Sequence, residues 1–272
     1  MQAPTLWNPP SGTLGRILAE TVHRVSALRS RRNALEAAAR RAATAPSFAK
    51  ALRGEDVAVI AEVKRRSPSK GEINVSMGAA DQARAYKAGG ARGISVLTEG
   101  AHFGGSPEDL EEIRDAVSVP LLKKDFHVDP LQLLEAKVLR ASALLLIARA
   151  LNPAQLMELA SFARGLGLEA LIEVRDEREL ETALQTDAPL IGVNSRNLET
   201  LAMDPGVCER LLPLIPGDRI AIYESGVKTR SDVDAAAALG ADAVLVGSAV
   251  SAAASPSNAV RALTGVARVG RG

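Results

Sequence analysis

The sequence predicts a closed (β/α)8 barrel preceded by a helical extension. Three observations carry that reading. Eight short aliphatic runs alternate with helical stretches, and their starts lie 22 to 36 residues apart. That interval suits one strand, one helix and two short loops per unit. The runs are continuously apolar rather than alternating, as parallel strands buried on both faces must be. The chain has 272 residues, close to the roughly 250 that one such barrel uses. The reading therefore takes residues 1–272 as one barrel domain with residues 1–53 as its extension.

Residues 1–12 are rich in Pro, Gly and Asn and read as irregular. From Leu14 the spacing becomes helical through Ile17, Leu18, Val22, Val25 and Leu28, with Ser11 or Thr13 as candidate caps. Arg31 to Ala43 continues this helix or forms a second, which Pro46 stops. The strand candidates follow: Val57–Val63, Gly93–Leu97, Val119–Lys124, Ala143–Ala148, Leu168–Val174, Leu190–Asn194, Arg219–Tyr223 and Asp242–Val246. Glycine-containing turns precede the second and last of these. No GxGxxG opens a first unit, which favours the closed barrel over an open dinucleotide-binding sheet.

Composition excludes several classes. Hydrophobic residues make up 47% and charged residues 24%, so the chain is neither disordered nor short of core. Net charge is +1 and aromatics are 3%, which argues against nucleic acid and anionic membrane as partners. One asymmetry exists: residues 14–53 hold nine Lys/Arg against two acids. Cys208 is the only cysteine, so neither a disulfide within the chain nor a thiolate cluster is expected. No signal peptide or membrane span is visible, and the expected location is the cytoplasm. His23, His102 and His127 lack ligand spacing and read as surface or loop residues. No metal and no cofactor are expected.

A barrel of this kind carries its site at the C-terminal ends of the strands. Those ends hold Glu62 and Lys64, Lys124, Glu173, Asn194 and Glu224. Buried strands that finish this often in ionisable groups point to pairing or chemistry. Lysine usage agrees. Only eight of the 33 basic residues are Lys, and Lys64, Lys70, Lys123 and Lys124 fall in two of these segments. A Lys can give up its proton whereas Arg effectively cannot, and clustered lysines are expected to lower one another's pKa. Asp125 reads as a structural salt-bridge partner pointing away from Lys124. Ser225-Gly226 and Gly247-Ser248 close the last two strands, where such barrels frame a phosphate.

The segment Glu62-Val-Lys-Arg-Arg-Ser-Pro-Ser-Lys-Gly71 resembles the signature of the indole-3-glycerol phosphate synthase family. So do Ser95–Glu99 with Phe103–Ser106, Lys124-Asp-Phe126 with Asp129-Pro130, Leu171–Val174, Gly192–Leu198 and Glu224–Gly226. The resemblance implies ring closure of 1-(2-carboxyphenylamino)-1-deoxyribulose 5-phosphate to indole-3-glycerol phosphate, CO2 and water, in tryptophan biosynthesis. It implies Lys124 as general acid, Glu173 as base or proton shuttle, and Lys64 as partner of the anthranilate carboxylate or acid in dehydration. Glu62, Asn194 and Glu224 would orient these groups. Ser67, Arg196, Ser225, Gly226, Gly247 and Ser248 would hold substrate and phosphate, and Phe103, Phe126 and Leu198 would line the aromatic-ring pocket. The first helix would lie over the barrel mouth. The sequence departs from the family pattern at Arg66, at Gly100-Ala101-His102, at Tyr223, and at Leu139–Ser142, where a Gly-containing turn is usual. The alternatives are phosphoribosylanthranilate isomerase, a tryptophan synthase α barrel, or a non-catalytic or altered-substrate phosphate-binding barrel. A phosphorylated small molecule is the expected partner; a monomer is compatible with the sequence.

Overall fold

The computed structural model describes residues 8–68, 71–74 and 77–271; Lys70 lies outside them. Eight parallel strands close into a barrel. They are β1 (Ala58–Val63), β2 (Gly93–Leu97), β3 (Leu121–Lys124), β4 (Ala143–Ile147), β5 (Glu169–Val174), β6 (Leu190–Asn194), β7 (Ile220–Glu224) and β8 (Ala243–Val246). Closure comes from β1, which pairs with β2 through Ile60↔Gly93 and with β8 through Ala61↔Val246. Each predicted run contains one strand, shifted by a residue or two at its ends. The seventh extends through Glu224, so that carboxylate is carried by the strand itself.

Thirteen α-helices accompany the strands among the described residues: α1 (Gly12–Arg29), α2 (Arg32–Arg41), α3 (Phe48–Leu52), α4 (Ala79–Gly89), α5 (Gly100–Phe103), α6 (Pro107–Ala116), α7 (Pro130–Val138), α8 (Pro153–Gly165), α9 (Glu177–Leu184), α10 (Gly206–Leu211), α11 (Arg230–Ala238), α12 (Ser248–Ser251) and α13 (Pro256–Arg261). Their starts are written in the sequence. Ser106, Asp129 and Asn152 each form a capping box, followed by Pro at the first helical position. The cap satisfies otherwise orphaned N–H groups, and Pro fits where no donor is needed. The turns into β2, β5 and β8 use Gly90, Gly167 and Gly240 at positive φ. The turn into β4 uses Arg140 at φ 59° instead. The residue that departs from the family pattern therefore occupies a left-handed backbone position, where a Cβ is disfavoured.

The extension spans the barrel from mouth to base. α1 buries Leu14, Ile17 and Val25. Ser11 does not cap it with its side chain; it donates instead to Glu199 on the loop after β6. The second helix is separate: α2 packs Leu35 and Ala39 against Leu131 and Leu134 of α7. At the base, α3 seats Phe48 against Gly93, where a Cβ would approach the ring to 2.7 Å. The C-terminal segment straps the same end, with Arg268 and Arg271 both paired to buried Asp242. No helix among the described residues is long and apolar enough to cross a membrane.

Candidate active site

A cavity of about 560 Å3 opens at the C-terminal ends of the strands. Every residue proposed above for catalysis or substrate binding lines it. Strand alternation explains why: one side chain in two faces inward, so Glu62 and Glu173, next to last on their strands, and Glu224, last on its strand, all face the cavity. All three carboxylates are buried.

Lys124 stands among them. Its Nζ donates to Glu224 and lies 3.5 Å from Glu173 Oε2. Burial alone would push its pKa down, but the charges of Glu224, Glu173 and Glu62 together push it up. The expectation that neighbouring lysines depress one another is thereby overturned. Lys123 points to the opposite face of the strand, where its partners are Asp125 and Glu135, so the two ammonium groups do not share a pocket. Glu224 is shifted upward by burial, against the attraction of Lys124. Its Oε1 is buried without a hydrogen-bond partner, as is Ser67 Oγ. Both stand ready for polar groups of a ligand, because a buried polar atom left unpaired is costly.

Two glycines make room for this arrangement. A Cβ on Gly192 would collide with Glu224 Oε1, and one on Gly247 would lie 2.5 Å from Glu62 Oε1. Lys64 reaches Glu62 Oε1 at 3.2 Å and lies 5.7 Å from the centroid of the Phe103 ring. Phe103 and Phe126 are 6.1 Å apart at 37°, a tilted pair in contact with each other that gives the cavity an aromatic wall. Asn194 Oδ1 accepts from Ser225 Oγ at 2.8 Å and from Arg196 N–H at 2.9 Å. Ser225 and Gly226 take positive φ of 69° and 90°. For Ser225 this is a strained conformation held by its surroundings, a feature concentrated at functional sites.

Sequence reasoning missed several lining residues. Leu14 and Ile17 of α1 form part of the wall, and Lys228 adds a cation beyond Ser225-Gly226. Their helix and loop positions carry no strand-end signal. Asp125 does pair as expected, with Arg24 of α1 at 3.0 Å and with Lys123 at 3.4 Å. Burial opposes its ionisation, but Lys123 and Arg24 hold its pKa well below the usual carboxylate range. His127 sits in a loop as expected but is buried, its Nδ1 2.7 Å from Leu145 O. Two departures from the family pattern prove to be partners: the Arg66 guanidinium donates to the carbonyls of Gly100 and Ala101. His102, expected in a loop or on the surface, lies instead half-buried in the same short helix α5 and meets Glu20 of α1 at 2.8 Å. Among the described residues no cluster of His, Cys, Asp or Glu has the arrangement to hold a metal ion.

Comparison with known proteins agrees. A sequence profile described as indole-3-glycerol phosphate synthase matches residues 14–263. Indole-3-glycerol phosphate synthase 2 of Streptomyces coelicolor is 44% identical over 257 residues, covering 94% of this chain and 100% of the relative. Indole-3-glycerol phosphate synthase of a Nocardioides species is 49% identical over 215 residues, covering 79% and 83%. Among solved structures, a thiamine phosphate pyrophosphorylase from Pyrococcus furiosus superposes with a TM-score of 0.57 at 16% identity, covering 80% of this chain and 96% of that one. That likeness bears on the barrel fold alone.

Proposed function

The chain belongs to the indole-3-glycerol phosphate synthase family, and from that premise we propose how its strand-end side chains divide the reaction. The enzyme is a carboxy-lyase of tryptophan biosynthesis. It closes the indole ring of 1-(2-carboxyphenylamino)-1-deoxyribulose 5-phosphate and releases CO2 and water.

The observation that carries the assignment is Lys124 among three carboxylates at the floor of the cavity. A raised pKa keeps it protonated at neutral pH, as a general acid must be before it acts. Ring attack on the ketone turns the carbonyl oxygen into an alkoxide, which is basic enough to take that proton. Glu173, 3.5 Å from Lys124, is placed to remove the ring C–H proton during dehydration and to exchange protons with the lysine. Lys64, near the Phe103 ring, pairs with the anthranilate carboxylate or serves as acid in dehydration. Glu62, Asn194 and Glu224 hold these groups and the substrate hydroxyls in place. Phe103, Phe126 and Leu198 enclose the aromatic ring. Ser225-Gly226 and Gly247-Ser248 present backbone N–H groups to the phosphate, with Ser67 and Arg196 on the substrate between. A single barrel domain in the cytoplasm is the setting that fits; the only cysteine, Cys208, is buried and free.

The test is turnover of the carboxyphenylamino substrate, followed by indole fluorescence. Lys124→Ala and Glu173→Ala each lower kcat by about 10²–10⁴-fold with the circular dichroism unchanged. Near-normal turnover in either variant removes that residue's role.

A further inference from the structure

We propose that a side chamber behind Glu173 is the proton inlet of this site, and that Glu179 is the carboxyl group that feeds it. The proposal rests on the roles given above to Lys124 and Glu173. Its starting point is the proton balance. The substrate carboxylate leaves as neutral CO2, its bonding pair returning to the ring, while the ketone oxygen keeps the proton taken from Lys124. In dehydration that oxygen departs as water with one more proton, and the ring C–H gives one up to the base. The last two cancel, so each turnover consumes one proton from solvent. A site whose mouth is filled by substrate and then product needs a way to reload.

The structure contains such a way. A second cavity, about 230 Å3 in volume, lies on the far side of Glu173. That is room for several water molecules at roughly 30 Å3 each. Four residues line both cavities: Leu14, Ile147, Glu173 and Leu198. Glu173 is the only ionisable one of the four, so it is the point at which a proton can pass the partition. From there Lys124 Nζ is 3.5 Å away. At the outer rim Asp176 and Arg210 are exposed to solvent.

Glu179 stands inside this chamber, in the first turn of α9. It is half-buried, with Oε2 accepting the Arg175 N–H at 2.8 Å. Burial, then the charge of Asp176 and, less strongly, that of Glu173, push its pKa up to about 7, against the Arg175 N–H and Arg149. Other charged groups on the chamber wall are Glu199, Asp204 and Arg210. Arg149 pairs with Glu199 of the same wall, whereas Arg210 pairs with Glu177 and Arg175 Nε donates to Asn194 O. With five carboxylates against three guanidinium groups, the chamber wall is acidic in net charge, which repels the anionic substrate and suits proton traffic. A carboxyl that changes state near neutral pH passes protons in either direction with little driving force.

The test is Glu179→Gln, which keeps an acceptor for the Arg175 N–H. Under weak buffering kcat falls about ten-fold while KM stays within about two-fold. The first turnover, measured with enzyme in excess, is unchanged because Lys124 begins protonated. Imidazole, a small diffusible acid, restores kcat in proportion to its concentration, and the neutral-pH limb of the kcat profile is lost. A merely structural role would not respond to imidazole. Unchanged kcat and pH profile, or a lowered kcat that imidazole does not restore, overturns the inlet. Glu179→Asp keeps a titratable group and serves if the Gln variant does not fold. Its kcat is intermediate and rises with imidazole; insensitivity to imidazole overturns the proposal equally. Lys124→Ala and Glu173→Ala slow the first turnover itself by about 10²–10⁴-fold, so failure of the catalytic assignment is read separately.

Discussion

Gly192→Ala is a one-methyl change that reaches the centre of the site without replacing a charged residue. Gly192 lies on β6 with its missing side chain directed at Glu224. An added methyl would overlap Glu224 Oε1 and sit 3.1 Å from its Cδ and 3.2 Å from Leu171 Cδ1. Leu171 is fully buried in the aliphatic core and has no room to retreat. The carboxylate must therefore swing away, and the hydrogen bond from Lys124 goes with it. Overpacking of one methyl costs about 1–3 kcal/mol, or roughly 2–12 °C in Tm for a chain of this size. The catalytic cost is larger in consequence. A shift of about 1 Å in a positioned group lowers turnover about 10²-fold, near 2.7 kcal/mol in the barrier. The assay is steady-state indole fluorescence beside thermal denaturation. Gly165→Ala is the control, since nothing lies within 4 Å of its Cβ position. It leaves kcat unchanged and raises stability by about 0.5–1 kcal/mol. A Gly192→Ala enzyme with kcat within about three-fold of the parent refutes the reasoning, because it means the position of Glu224 does not govern Lys124.

Arg140→Gly relieves a left-handed backbone position at φ 59°. It stabilises by about 1 kcal/mol in urea unfolding and leaves turnover unchanged, the turn lying at the opposite end of the barrel. His127 sets part of the acid stability. Burial, then Lys123, push its pKa down to about 3, against Asp125 and the Leu145 carbonyl. An unfolded histidine protonates near pH 6.5, so below that pH protonation favours the unfolded chain. Stability is complete above about pH 6.5 and falls toward pH 3, by up to about 1.4 kcal/mol per pH unit. Asp125, its pKa depressed, adds a further loss that begins only below about pH 4. In urea unfolding across pH, His127→Gln flattens the limb between about pH 6.5 and 4 and leaves the lower one.

The eight strands were legible because a buried parallel strand must be a continuous aliphatic run, and the inward strand-end residues because alternation assigns faces. Glu62 with Lys64 follows from spacing two apart across the end of β1. The state of Lys124 did not follow. It depends on Glu173 and Glu224, which arrive from strands far along the chain, and their summed charge outweighs the burial that would lower its pKa. Leu14 and Ile17 show the same limit: their helical spacing marks an apolar face but not that it roofs the substrate cavity. Arg140 is the reverse case. The missing glycine at Leu139–Ser142 is visible in the sequence itself, and Arg140 takes the left-handed position that glycine fills in the turns into β2, β5 and β8.

The two adjacent lysines explain how the site stays in place. On β3, Lys123 and Lys124 project to opposite faces, Lys123 fully buried and Lys124 largely so, and both are held in ion pairs. Buried pairs return little net stability, since desolvation consumes most of the Coulomb gain. Removing one partner is costly all the same, because the other is left charged and dry. A strand with such pairs on both faces cannot rotate or slide without breaking one set. The outer set ties Lys123 to Asp125 and Glu135, and Asp125 in turn to Arg24 of α1 and to Thr98 Oγ1 after β2. Lys124, proposed above as the general acid, is thus held from behind by the ion pairs of Lys123. On the proposed roles, Lys124 exchanges protons within the cavity while its strand keeps its register, and Glu173, which lines both the cavity and the side chamber, is where that exchange reaches solvent.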